Sequence, residues 1–360
     1  MPLVALLASA CGSGTPAVSL VPVTGFTPDA TLLAAAQKEG TLNVIALPPD
    51  WCNYGPMITA FTGATGLKVN SITPDAGSGD ELTAITSNKT NAGPQAPDVV
   101  DVGYSFGAQA VQQGLLQAYK VSTWSTIDPK TVDPNGMWYG DYYGVLSFAV
   151  NTSVVKDVPA DWSDLLKPEY AHQIALAGDP TASNQAIQSV EASALGNGGT
   201  LDNAQKGLDF FKQLQQAGNF VPTVGGQGTL ASGETPILIT WNYLAQSYAD
   251  ALKGNPAVQV VIPKTGRFGG IYVQGISAYA PHPNAAKLWE EYLYSDEGQN
   301  LWLKGGARPV RQAAMTTAGT IDAAAAAALP PVTGTPVFLS PDQATAANTY
   351  LGSNWAKAIS

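Results

Sequence analysis

The 360-residue chain is 45% hydrophobic and only 12% charged, with a formal net charge of −10. That length holds two domains with ordinary cores, and the apolar content excludes an intrinsically disordered chain. The acidic total excludes nucleic acid or an anionic membrane surface as the main partner, because both repel an acidic body and no basic cluster offsets it.

Residues Pro2 to Ala10 are apolar or small and run into Cys11-Gly12-Ser13-Gly14. Small residues before a cysteine, followed by a Gly/Ser/Thr/Pro tether, resemble the end of a bacterial lipoprotein signal, in which the cysteine becomes the acylated first residue. The basic segment that opens such signals is missing, so a short apolar leader with a chance cysteine stays open as the alternative. On the lipoprotein reading, residues 1–27 are signal remnant and tether, and Cys11 anchors the chain at the cell surface or in the periplasm. No later run approaches the roughly 20 apolar residues of a membrane span. Cys52 is then left alone, without a disulfide framework. The only histidines, His172 and His282, lie far from it in sequence, so it reads as a small packed residue and not as a nucleophile.

The folded part opens with alternating helix and strand. Asp29 precedes a helix-forming run from Ala30 to Glu39 that Gly40 stops. Strands are expected at Thr41–Leu47, Leu67–Ile72 and Pro97–Gly103, each followed by a helix, the last one ending at Gly114. Three βα units in a row imply a parallel sheet with helices on its faces, and ligands gather at the carboxyl ends of such strands. Those ends carry Asp50, Trp51, Asn53 and Tyr54, then Gly77, Ser78 and Gly79, then Tyr104 and Ser105. Gly, Ser, Asn and Asp also make turns and caps, whereas Trp51 and Tyr54 in a Pro-rich loop gain little from exposure and should cover a sheet edge or a ligand.

The run from Trp138 to Thr152 joins an aromatic half, with Asp141, Tyr142 and Tyr143, to an apolar half, Val145–Val150, that reads as a buried strand. We read it as the first crossing between two lobes, which places a ligand cleft beside it. After it the grammar repeats: a strand at Gln173–Ala177, Asp179 and Ser183 leading into a helix to about Leu195, and a helix from Leu201 to Ala217. A strand within Gly233–Tyr243 exits at Trp241, Asn242 and Tyr243, another covers Val258–Ile262, and Gly270–Ala280 reads as a return crossing that brings Tyr272 and Gln274 to the cleft. The expected divisions are lobe 1 over residues 28–148, lobe 2 over 149–272, and a return to lobe 1 with C-terminal helices over 273–360. The alanine run Ala323–Ala328 is helix-prone and is assigned no function.

Five segments carry a family resemblance: Pro97–Gly103 with Gln113–Leu116, Asp161–Tyr170, Gly178-Asp179-Pro180, Gly233–Ile237 and Pro283–Gly298. They resemble the type 2 extracellular solute-binding proteins of bacterial ABC importers, in the branch that handles ferric iron, polyamines, thiamine and phosphonates. The resemblance covers roughly residues 40 to 312. It implies an α/β, two-lobed periplasmic-binding-protein type 2 fold: each lobe a mixed, mostly parallel sheet flanked by helices, the lobes joined by crossing strands. It further implies a monomer without cofactor that closes on one small solute and docks on an ABC transporter permease, touching the membrane through its lipid only.

Iron-binding members of that branch use an adjacent tyrosine pair beyond the Gly-Glu-x-Pro strand. Here the stretch reads Trp241-Asn242-Tyr243, and the pair Tyr142-Tyr143 lies on a strand where neighbours face opposite ways, so iron is disfavoured and no metal is expected. Polyamine-binding members stack aromatics on the methylene chain and pair carboxylates with the ammoniums. Asp50, Trp51, Tyr54, Tyr104, Asp141, Trp241, Tyr243 and Tyr272 supply that mixture, so the expectation leans to a polyamine-like cation. Asp179 also serves as a helix cap. An anionic solute needs an arginine in the cleft, and Arg267, Arg308 and Arg311 are the ones available nearby in sequence. The competing class is a cleft hydrolase using a carboxylate pair such as Asp50 and Asp141. The chain has no Gly-x-Ser-x-Gly elbow, HExxH helix or Walker loop, which favours a receptor.

Overall fold

A computed structural model describes residues 20–332 and 334–359; Cys11, the expected lipidation site, lies outside them. The elements of the first lobe are α1 (Ala30–Glu39), β1 (Thr41–Ile45), α2 (Tyr54–Thr65), β2 (Lys68–Ile72), α3 (Ser78–Ser87), β3 (Val99–Gly103), α4 (Tyr104–Gln112) and β4 (Leu116–Gln117). Local chemistry sets their ends. Asp29 Oδ1 caps α1 by accepting from the backbone N–H groups of Thr31 and Leu32, and Gly40, at φ 75°, closes it in the left-handed conformation. β1 and β2 pair in parallel, and β3 joins that layer where the Asp98 N–H donates to the Asn43 carbonyl (2.9 Å) and Asp98 Oδ2 accepts from Asn43 N (2.6 Å).

The strand β5 (Tyr139–Asn151) is the crossing. Its first half pairs antiparallel with β9 (Gly269–Ser277), the returning strand, and its second half pairs with β7 (Ile237–Trp241) and β8 (Val258–Val261). The second lobe adds β6 (Ile174–Leu176), parallel to β7, with α5 (Asn184–Gly196), α6 (Gln205–Gln216), α7 (Gln227–Ser232) and α8 (Asn242–Leu252). The eight-stranded sheet thus runs β3-β9-β5-β7-β6 along its main path and passes through both lobes. β3 pairs antiparallel with β9, with Asp101 opposite Gln274, so the first-lobe sheet is mixed where the βα grammar alone implied a parallel one. The cause is the return crossing: a strand arriving from the other lobe enters the sheet against the direction of β3. All five residues of β3 are buried, as a strand covered on both faces requires.

After β9 come α9 (Pro283–Leu293), α10 (Asp296–Lys304), β10 (Arg308–Pro309), α11 (Gln312–Ala318), α12 (Ala323–Ala328) and α13 (Pro341–Ile359). α9 and α10 pack on the first lobe, where Trp289 meets Phe61 and Trp302 meets Tyr54 edge-on. α13 packs on the first lobe but is not confined to it. It lies against α4 but also against α6 of the second lobe, because Trp355 finds its aromatic partners in Phe211 and Phe220. No helix among the described residues is long and apolar enough to cross a membrane.

Candidate functional site

Between the lobes lies a cavity of about 400 Å³. Three strand exits of the first lobe build one wall: Asp50 and Trp51 after β1, Asp75 to Ser78 after β2, and Asp101 within β3. The second lobe answers with Gly178 and Asp179 after β6, Ser183 to Gln185 at the start of α5, and Tyr248 of α8; Tyr272 reaches the cavity from the crossing strand β9. The lobes touch. Gly79 packs against Ala182, and Gly103 lies so close to Asn184 that a Cβ on it would fall 1.9 Å from Asn184 Cγ. The trap is closed.

Beneath the cavity the sheet carries a polar network. Tyr54 and Tyr142 donate their hydroxyls to Asp101 Oδ2 (2.7 and 3.1 Å), and Trp51 Nε1 donates to the Tyr142 hydroxyl (2.7 Å). Gln274 Nε2 donates to Asp141 Oδ2 (2.8 Å) and to the Tyr54 hydroxyl (3.0 Å), while Glu81 Oε2 accepts from the Asp101 N–H (3.0 Å). Burial pushes the Asp101 carboxyl up to about 6, and burial together with the Asp101 charge raises Asp141. The two carboxyls thus disfavour being charged together, and Asp141 is the one held more strongly toward its protonated form. Burial also raises Glu81. Aromatic rings enclose the network: Trp51 stands edge-on to Tyr272 at 5.6 Å, and Tyr272 stacks on Tyr142 at 5.4 Å.

The expected site residues divide between the cavity and its foundations. Asp50, Trp51, Ser78, Asp179, Ser183 and Tyr272 line the cavity, with Gly79 at the lobe contact. Tyr54, Asp141 and Gln274 are buried in the network below it, so Asp141 cannot act with Asp50 as a pair facing one substrate. Trp241, Asn242 and Tyr243 are also buried: they leave β7 into the hinge core, where Asn242 Oδ1 accepts from the Val145 N–H (3.0 Å) and Trp241 packs on Tyr272. Three other residues point elsewhere. Asn53 donates to the Leu301 carbonyl (3.0 Å), Tyr104 donates to the Lys130 carbonyl (3.1 Å), and Tyr143 turns to Phe338 on the far face of β5. Ser105 is buried one residue into α4. Asp179 accepts from Thr181 N (2.8 Å), so it is turn-maker and lining residue at once.

Sequence reasoning missed Asp101, Glu81, Asp75, Asn184 and Tyr248, all of which line the cavity. A signal existed for Asp101. It is an acid inside an apolar strand run, and acids are rarely buried without a role or a partner. The arginines stand outside: Arg308 Nη2 donates to the Pro330 carbonyl (2.8 Å), Arg311 pairs with Asp296 (3.1 Å), and Arg267 lies against Gly334. Cys52 is buried beside Tyr243, and burial raises its thiol.

Comparison with known proteins gives a consistent picture. The family model described as bacterial extracellular solute-binding protein matches residues 95–327. A putative 2-aminoethylphosphonate-binding periplasmic protein of Salmonella typhimurium is 27% identical over 252 residues, 68% of this chain and 70% of that protein. An uncharacterised Haemophilus influenzae protein is 27% identical over 241 residues, 64% of this chain, and the match spans 66% of that protein, just under two thirds of its length. Among solved structures, the periplasmic binding protein AfuA of Actinobacillus pleuropneumoniae, with exogenous fructose-6-phosphate bound, superposes with a TM-score of 0.68 at 24% identity, over 89% of this chain and 98% of that one. The last likeness establishes the two-lobed fold.

Proposed function

The chain belongs to the bacterial extracellular solute-binding proteins, and from that premise we propose that it captures a small solute bearing an alkylammonium group and delivers it to the permease of an ABC importer. One observation carries the solute class. The cavity lining holds six carboxyl groups, those of Asp50, Asp75, Asp80, Glu81, Asp101 and Asp179, and no lysine, arginine or histidine among the described residues. The ionised carboxylates of the lining focus their field on a cation, and the faces of Trp51 and Tyr272 add attraction for an ammonium. A cavity of about 400 Å³ suits a solute of polyamine size.

A second reading, an aminoalkylphosphonate, has a specific observation behind it. Asn184 is buried with Nδ2 unpaired at the start of α5, and Ser78 opens α3 on the facing lobe. Two helix N-termini so placed favour an anionic group beside the amine, and the Salmonella relative is named for such a solute. The two readings share the amine. In either, solute held by both lobes favours the closed state by its differential affinity, and no bond is broken. We place the protein in the periplasm or on the cell surface as a monomer, with Cys11 as lipid anchor and with the lobes dividing within β5 and β9. A thermal-shift series with putrescine, spermidine, 2-aminoethylphosphonate and fructose-6-phosphate tests the reading, because site binding raises the melting temperature with concentration. A shift from the amines supports it; a shift from fructose-6-phosphate alone overturns it.

A further inference from the structure

The two strands β5 and β9 are not the only threads between the lobes. After α12 the chain runs over the hinge. The Gly269 N–H donates to the Val337 carbonyl (2.9 Å), the Val337 N–H donates to the Arg267 carbonyl (3.1 Å), and Phe338 sits edge-on to Tyr143 at 5.4 Å. A Cβ on Gly269 would lie 2.4 Å from the Phe338 ring, so the segment is seated directly on the crossing strand. From there α13 enters the furrow between α4 of the first lobe and α6 of the second. Its buried residues Ala344, Ala347, Leu351, Trp355 and Ile359 form one stripe at helical spacing, so a single face serves both neighbours.

The two sides of that furrow differ in kind. On the second lobe, Trp355 packs against Phe211 (5.4 Å) and Phe220 (6.1 Å), Gln343 Nε2 donates to Asp202 Oδ1 (2.8 Å), and the Tyr350 hydroxyl donates to Gln205 Oε1. On the first lobe α13 also packs closely on α4, and at the end of that helix Gln112 faces Asp342, Thr345, Thr349 and Ser353 across an open groove. Trp355 and Ile359 also back the turn Gly178–Pro180 and the loop at Val224, whose other side lines the solute cavity. When the lobes part, α4 and α6 separate, and α13 can follow only one of them. Aromatic burial and two side-chain hydrogen bonds hold it to the second lobe, at α6 and the residues on either side of that helix.

We infer that α13 is a latch: it rides with the second lobe, buttresses that lobe's half of the solute cavity, and favours closure through its breakable contact with α4. The inference is independent of which solute is bound. It is tested on the full chain with opposed charge variants across the polar groove. Gln112→Glu with Thr349→Glu places like charges there, and Gln112→Lys with Thr349→Glu places opposite ones. Distances between spin labels on exposed Thr86 and Ser232, one per lobe, read the open and closed populations without added solute. The like-charge variant should raise the open:closed ratio and the opposite-charge variant lower it, each by about twofold to fivefold at low salt, with the difference fading in high salt. Unchanged melting temperatures confirm that both variants fold. Identical distance distributions in the two variants would mean that α13 travels with α4 and would overturn the latch.

Discussion

Gly103→Ala should wedge the trap open without harming either lobe. Gly103 sits at φ −60° and ψ 153°, a conformation alanine adopts freely, so the backbone imposes no penalty. The conflict lies across the cleft: the new Cβ would meet Asn184 Cγ at 1.9 Å, Oδ1 at 2.2 Å and Cβ at 2.3 Å. Turning the Asn184 side chain removes the first two clashes but not the third, because its Cβ is fixed by the backbone of α5. Closure must therefore stop short by about an ångström or strain the helix, and overpacking of this kind costs about 1–3 kcal/mol. Only the closed state bears that cost, so solute affinity should fall about fivefold to 150-fold while the ligand-free melting temperature stays within a degree or two. Titration calorimetry with putrescine and a ligand-free melt supply the two readouts. Adding Asn184→Gly to the same chain removes the clashing Cβ and should restore most of the affinity, a coupling that a double-mutant cycle isolates. Unchanged affinity in Gly103→Ala, or a large loss of ligand-free stability, would refute the closed-trap geometry.

Other consequences follow from the same contacts. Trp241→Ala should cost about 3–5 kcal/mol of ligand-free stability, because the indole is fully buried in the hinge core; urea denaturation checks it. Trp51→Ala removes a half-buried wall of the cavity and should lower amine affinity about tenfold; it also breaks the indole's bond to Tyr142, so the ligand-free melting temperature should fall, though by less than in Trp241→Ala. Asp101, raised by burial to about 6 from an unfolded value near 4, makes folding take up a proton in that window, so its contribution is present at low pH and is lost as pH rises toward 6, by about 3 kcal/mol. Melting from pH 4 to pH 7 should accordingly fall more steeply in the parent than in Asp101→Asn, and an equal slope would count against the buried pair. Asp75→Asn with Asp179→Asn, at exposed positions on the cavity lining, should slow putrescine association severalfold at low salt and hardly at all at high salt, as read by stopped flow.

Much of this architecture was legible in the residues, because local chemistry dictates it. The Asp29 cap and Gly40 stop mark α1, the Pro97–Gly103 run marks β3, and the Trp138–Thr152 stretch announces a crossing by changing from aromatic to apolar midway. The strand exits after β1 and β2 likewise brought Asp50, Trp51 and Ser78 to the cavity, since parallel strands deliver their ends to one edge. What stayed hidden depended on partners far along the chain. Asp98 immediately precedes β3 and Asp101 lies within it; Asp98 meets His282 while Asp101 enters the cleft network, and no local pattern tells which acid does which. The exit Trp241-Asn242-Tyr243 looked like a binding loop but turns inward, because Gly144 and Gly270 leave room for the rings of Tyr243 and Trp241. α13 reads as an ordinary amphipathic helix, and its place across both lobes rests on Phe211 and Phe220, more than a hundred residues earlier.

The central claim, that an amine selects the solute, is tested most directly by calorimetric titration of matched pairs that differ only in that group: putrescine against 1,4-butanediol, and 2-aminoethylphosphonate against ethylphosphonate. The six lining carboxyls predict saturable binding of at least one amine, a loss of more than a hundredfold when its nitrogen is deleted, and affinity that rises with pH through about 6 as Asp101 ionises. Equal binding of a solute and its amine-free partner would contradict the account.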